Sequence, residues 1–258
     1  MKYYVVDAFA EKVFEGNPAG VCVLDHWPDE ALMQNIAIEN NLSETAFTVK
    51  EATGYHLRWF TPGGEIDLCG HATLATAHIL MRFVEPEATT IPFRTLSGPL
   101  TVTRRDGVYE MDFPSIEATP YPLTAPMVEA LGVTPVEVYK GRDLIFLLAS
   151  ADAVRRLAPD VEKLKQFPEG LAVFVTAADT TFDFVARAFW PKLCINEDPV
   201  TGSMYCSLLP YWRKKLHKTE MVARQLSKRG GTVYLKDVGA RVKISGQAVL
   251  YSVADILP

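Results

Sequence analysis

The sequence is short of nearly everything that would tie it to a membrane, a nucleic acid or a structural metal. Its longest apolar runs, residues 144–149 and 171–178, are of strand length, far below the ~20 residues that cross a bilayer. No membrane association is expected. Asp7 interrupts any apolar core near the N-terminus, which argues against an export signal. Basic residues cluster no further than Arg213-Lys214-Lys215, and the formal net charge is −5. A nucleic-acid partner needs a basic footprint, so none is expected. Cysteine is scarce: Cys22, Cys69, Cys194 and Cys206 form no CxxC pair. Neither a metal site nor a redox motif is read from that spacing, and no cofactor is expected. Unpaired thiols without an export signal fit a cytoplasmic protein. The run Gly16-Asn17-Pro18-Ala19-Gly20 lacks the Lys-Ser/Thr ending of a phosphate loop and reads as a turn.

What is present is an ordinary globular composition, 48% hydrophobic and 22% charged over 258 residues. That length suffices for two domains of about 100–150 residues. Pro114, Pro120, Pro122 and Pro126 mark a linker. The expected division is 1–118 and 119–258, with a return of the final strand to the first domain left open. Alternating, β-rich segments recur, and each half holds one substantial helix, at 72–83 and 200–215. The pattern predicts an α+β fold, because a doubly wound parallel sheet needs more helices between its strands.

The two halves share a weak repeat. Arg58-Trp59-Phe60 is followed, nine residues after Phe60, by Cys69-Gly70-His71-Ala72-Thr73. Arg187-Ala188-Phe189 is followed, nine residues after Phe189, by Asp198-Pro199-Val200-Thr201-Gly202-Ser203. By that count Cys69 and Asp198 are equivalent. Each time a strand-like run feeds a loop that opens a helix. Helix N-termini present unpaired N–H groups and partial positive charge, which suit a carboxylate. Gly70 and Gly202 would let that carboxylate approach the backbone.

Three runs, Asn41-Leu42-Ser43-Glu44-Thr45-Ala46-Phe47, Asp67-Leu68-Cys69-Gly70-His71-Ala72-Thr73-Leu74-Ala75 and Glu197-Asp198-Pro199-Val200-Thr201-Gly202-Ser203, occur in this order after Asp7-Ala8-Phe9 and the Gly16–Gly20 run. Together they resemble the PhzF-like family of phenazine-biosynthesis isomerases, related in fold to diaminopimelate epimerase. The resemblance covers essentially the whole chain. It implies two pseudo-symmetric domains, each a curled β-sheet around a central helix, with the active site between them, and a homodimer. It also implies that Glu44 is the acid/base, supported by His71 and Asp198, with Ser203 contacting a small carboxylic-acid substrate. In the related epimerases two cysteines face each other as acid and base, and here one partner of Cys69 is lost. The sequence departs from the family at Met204-Tyr205, where Ala-His is common.

Read residue by residue, Glu44 begins a strand among Leu42, Ala46 and Phe47, apolar neighbours that would raise a carboxyl pKa toward working pH. His71 falls in the first turn of its helix, where it could relay a proton. Asp198 before Pro199 reads, on the residues alone, as a helix cap before anything else, a role that can coexist with one oxygen facing the substrate. Cys69 at a helix mouth is expected to have a lowered pKa and, lacking an opposing cysteine, to be structural or auxiliary among the substrate-binding residues. The expected activity is cofactor-independent proton transfer on a small carboxylic acid. Two rivals stay open: a cysteine-assisted epimerase or racemase, and a non-catalytic small-molecule-binding protein.

Overall fold

The computed structural model describes residues 1–193 and 195–257, so Cys194 lies outside the described residues. These group into two compact units, Met1–Asp112 with Ser245–Pro258, and Phe113–Ile244. Among the described residues, no helix is long and apolar enough to cross a membrane.

In the first unit, strand Lys2–Ala8 lies between Ala248–Asp255 and Asn17–Leu24, antiparallel to both. The sheet continues through Glu44–Glu51, Gly54–Thr61, Thr90–Thr95, Gly98–Arg105 and Val108–Pro114. Two joints are parallel, Asn17–Leu24 with Glu44–Glu51 and Gly54–Thr61 with Thr90–Thr95. A parallel joint needs a crossover, and each crossover here carries a helix, Glu30–Asn40 in the first and Gly70–Ile79 in the second. The sheet wraps the second of these, which touches Ala248–Asp255 at one end of the strand order and Gly98–Arg105 near the other. His71 through Ile79 are all buried. Its small side chains let strands approach from every side. The hydroxyls of Thr73 and Thr76 donate to the carbonyls of Cys69 and Ala72 one turn back, so this all-round burial strands neither hydroxyl. Beyond Ile79 the helix widens into a π-helical turn, Leu80–Val84.

The second unit repeats the alternation. Glu137–Lys140 pairs antiparallel with Leu144–Leu147, which runs parallel to Val173–Ala178. That strand pairs antiparallel with Phe184–Trp190, which runs parallel to Glu220–Gln225, and Gly231–Asp237 follows antiparallel. Its core gathers Leu144, Phe146, Val173, Val175 and Phe189. The first unit builds a counterpart from Tyr3, Cys22, Met33, Phe47 and Phe60. This is the expected α+β architecture of pseudo-symmetric curled sheets around central helices.

Three local expectations are corrected. Asn17-Pro18-Ala19-Gly20 is strand rather than turn. Only Gly16 turns, at φ +67°, and a Cβ there would lie 2.1 Å from the Ala8 carbonyl oxygen. The second central helix begins at Tyr205, not at residue 200. A 3-10 turn, Gly202–Met204, precedes it. Nor is it a small-residue helix: Tyr205 and Trp212 are buried, and the Trp212 ring stacks on Phe184 at 5.3 Å.

Candidate active site

Glu44 opens its strand directly after the helix Glu30–Asn40, which closes on Asn41 in the left-handed conformation, φ 50°. Left-handed backbone suits Asn, and here it turns the chain back into the sheet opposite Ala19. Cys69 occupies the N-cap of the central helix in extended conformation, Gly70 is the first helical residue and His71 the second. Thus two elements far apart in sequence deliver three reactive groups to one place. His71 Nε2 lies 3.0 Å from Glu44 Oε2, and the two side chains are 9% and 12% exposed. On the other ring nitrogen, Nδ1 is 3.5 Å from Cys69 Sγ and 3.4 Å from Asn17 Nδ2.

The electrostatics follow from that enclosure. Burial resists protonation of His71, but attraction to Cys69 and Glu44 and hydrogen bonds to both outweigh it and hold the imidazole pKa well above its ordinary value. The Cys69 thiol is pushed up, first by burial and then by the Glu44 carboxylate. This overturns the expected lowering: the helix mouth is too dry, and too close to a carboxylate, for a thiolate. Glu44 is the carboxylate among the partners that keep a proton on His71, and it meets Nε2 directly at 3.0 Å. A carboxylate beside an imidazolium can accept a proton from carbon while the imidazolium donates to an oxygen. Among the described residues, buried Glu44 Oε2 and His71 Nε2 have no polar partner but each other.

Asp198 and Ser203 sit on the corresponding loop of the second unit. Asp198 ends the strand Ile195–Asp198 and is not a helix cap. Thr201 takes the N-cap position of the turn Gly202–Met204, and its hydroxyl donates to the Asp198 carboxylate. Gln225, fully buried, ties the loop at both ends. Its Nε2 donates to the Asp198 carbonyl at 2.7 Å, and its Oε1 accepts from the Thr201 N–H at 2.8 Å. Gly202 is buried, and Ser203 in the same turn is half-buried. Met204 and Tyr205 are fully buried, with Tyr205 against Phe184. The departure from the family pattern therefore sits in the packed interior of this unit.

The two loops share a brace that realigns the repeat. Arg58 makes a two-toothed ion pair with Glu65, Nε and Nη2 each 2.6 Å from an oxygen, and lies 5.1 Å from the Phe60 ring. Arg187 does the same with Glu197 at 2.6 and 2.9 Å and lies 5.1 Å from the Phe189 ring. Counted from the braced glutamates, Cys69 is four residues past Glu65 and Thr201 four past Glu197. Both are N-caps followed by glycine. The partner of Cys69 in the repeat is thus Thr201, with His71 matched to Ser203. The count from phenylalanine failed because seven residues separate Arg58 from Glu65 and ten separate Arg187 from Glu197. Asn17, Thr201 and Gln225 were not singled out from the sequence. Asn17 lies within the Gly16–Gly20 run read as a turn, and Gln225 leaves only the trace of a polar residue inside a β-rich run.

Known proteins match this chain in sequence and in fold. The family model described as phenazine biosynthesis-like protein matches residues 6–254. An uncharacterized isomerase of Pseudomonas aeruginosa is 47% identical over 249 residues, covering 96% of this chain and 95% of that one. The crystal structure of a phenazine biosynthesis protein of the PhzF family from Enterococcus faecalis superimposes with a TM-score of 0.98 at 50% identity, over 100% of this chain and 99% of that one. A hydroxyproline epimerase from Agrobacterium vitis, at 12% identity, shares the fold with a TM-score of 0.64 over 98% of this chain and 91% of that one.

Proposed function

The chain belongs to the phenazine biosynthesis-like (PhzF) family, and from that premise we propose that it is a cofactor-independent isomerase that moves a proton on a small carboxylic acid. The observation that carries this reading is the buried Glu44–His71 pair at 3.0 Å. The Glu44 carboxylate takes a proton from a carbon activated by the substrate's own carboxyl or alkene. The electron pair left behind delocalises, and Glu44 returns the proton to another carbon. His71, protonated beside Glu44, donates to the oxygen on which negative charge develops. Backbone N–H groups at the helix mouth that begins with Gly70 suit the substrate carboxylate. Asp198, held by Thr201 and Gln225, and Ser203 are assigned to substrate positioning.

A thiol-pair racemase mechanism draws little support from these groups. Cys69 is held protonated by burial and by Glu44, and its counterpart Thr201 offers a hydroxyl that is already spent on Asp198. The reading is tested by incubating the protein in D₂O with a panel of small cyclic and amino carboxylic acids and following C–H exchange by NMR. Exchange that disappears in Glu44→Gln supports it. Binding without exchange points instead to a ligand-binding protein on the same fold. The homodimer implied by the family is checked by light scattering on the eluting protein.

A further inference from the structure

We propose that Glu44, Cys69 and His71 also form a capture site for one thiophilic divalent cation, Zn²⁺ by class, and that occupancy shuts off the proton-transfer site. The shut-off half of this proposal rests on the reading of Glu44 as the proton carrier; the capture site does not. Each of the three residues offers one ligand atom, and these atoms lie within 4.8 Å of one another. Among the described residues, no other set of three such donors is gathered in this way. A tetrahedral ion with bonds of about 2.0–2.3 Å sets its donors about 3.3–3.6 Å apart. A small inward movement of the side chains therefore suffices.

The donor set selects the ion. Sulfur and imidazole favour zinc-like metals over Mg²⁺ or Ca²⁺, which take oxygen. Three protein ligands leave a fourth position open, as zinc sites that exchange ligands do. Two of the atoms concerned, Glu44 Oε2 and His71 Nε2, are buried and face only each other, at 3.0 Å. A bound cation would satisfy the carboxylate directly and accept a lone pair from the imidazole. On capture, metal–sulfur, metal–nitrogen and metal–oxygen bonds form. The thiol proton and one imidazole proton leave to solvent, and nothing is oxidised or reduced. Linear spacing conceals the site, because the carboxylate comes from a strand 25 residues before the thiol.

The test uses the intact protein with metal alone and no substrate. CoCl₂ is titrated while absorbance is followed. The expected result is one equivalent of Co²⁺ giving an intense near-ultraviolet thiolate charge-transfer band that ZnCl₂ bleaches. The band persists in Cys206→Ser and vanishes in Cys69→Ser, with circular dichroism confirming that each variant folds. If Cys69→Ser does not fold, Glu44→Gln decides. Loss of a direct ligand should weaken Zn²⁺ binding by more than the about 10–100-fold typical of an outer-shell change. No thiolate band in the native protein, a band that survives Cys69→Ser, or undiminished affinity in Glu44→Gln overturns the site. Because no turnover is read, a protein inactive on every acid tested but positive here keeps the capture site and counts only against the catalytic reading.

Discussion

His71 and His78 stand about two turns apart on one helix, and each is 7% exposed, yet they are pushed in opposite directions. His71 faces the Glu44 carboxylate and its pKa rises. His78 has its Nδ1 3.0 Å from the Tyr109 hydroxyl, and its pKa falls to about 4, first through burial and then through Arg82 and Arg104. Equal burial thus has opposite consequences according to the charge it encloses. At its N-terminal end the helix keeps a proton available for chemistry. At its other end it keeps a neutral imidazole as part of the packed interior.

The largest effect should come from breaking the first end. Glu44→Gln keeps the shape but removes the base, so proton exchange should drop about 10²–10⁴-fold, measured as the rate of deuterium incorporation. Next comes the other end. The unfolded chain protonates a histidine near 6.5 and folded His78 only near about 4. Stability is therefore lost as pH falls from 6.5 through about 4. The 2.5-unit gap corresponds to roughly 3 kcal/mol. His78→Gln, which can still hydrogen-bond the Tyr109 hydroxyl, should flatten that acid limb in urea unfolding at stepped pH. His71 has the opposite sign. Its raised pKa contributes stability that is complete below about 6.5 and disappears as pH climbs through the folded value, so His71→Gln should flatten the alkaline limb instead.

The fold class and the pseudo-symmetry were legible because they rest on local signals, periodicity and a repeated strand-loop-helix pattern, whereas the pairing of Glu44 with His71 across 27 residues followed only from the resemblance to the family. The equivalence of Cys69 with Asp198 was misread because hairpin length is not visible as register. Three additional residues between Arg187 and Glu197 shift every later position. Cys69 was misjudged because burial, and after it the Glu44 carboxylate, outweigh the lowering that His71 and the helix mouth supply. The ties made by Gln225 cross 24 and 27 residues, and no local pattern announces such a contact.

The smallest effect should come from the second loop. Thr201→Val removes the hydroxyl donor to Asp198 and should cost about 1.5–3 kcal/mol if the carboxylate is charged, with Thr201→Ser recovering most of it in thermal melts. Equal stability of the two variants would show that the Thr201–Asp198 bond does not hold this loop.

The most direct test of the central claim is an NMR titration of both histidines, with ¹⁵N in their rings, in the native protein and in Glu44→Gln. The account predicts that His71 remains protonated above pH 6.5, that His78 stays neutral down to about 4, and that only His71 moves when Glu44 is changed. A His71 that titrates at or below 6.5, or that ignores Glu44→Gln, would contradict the claim that these two side chains hold a proton between them.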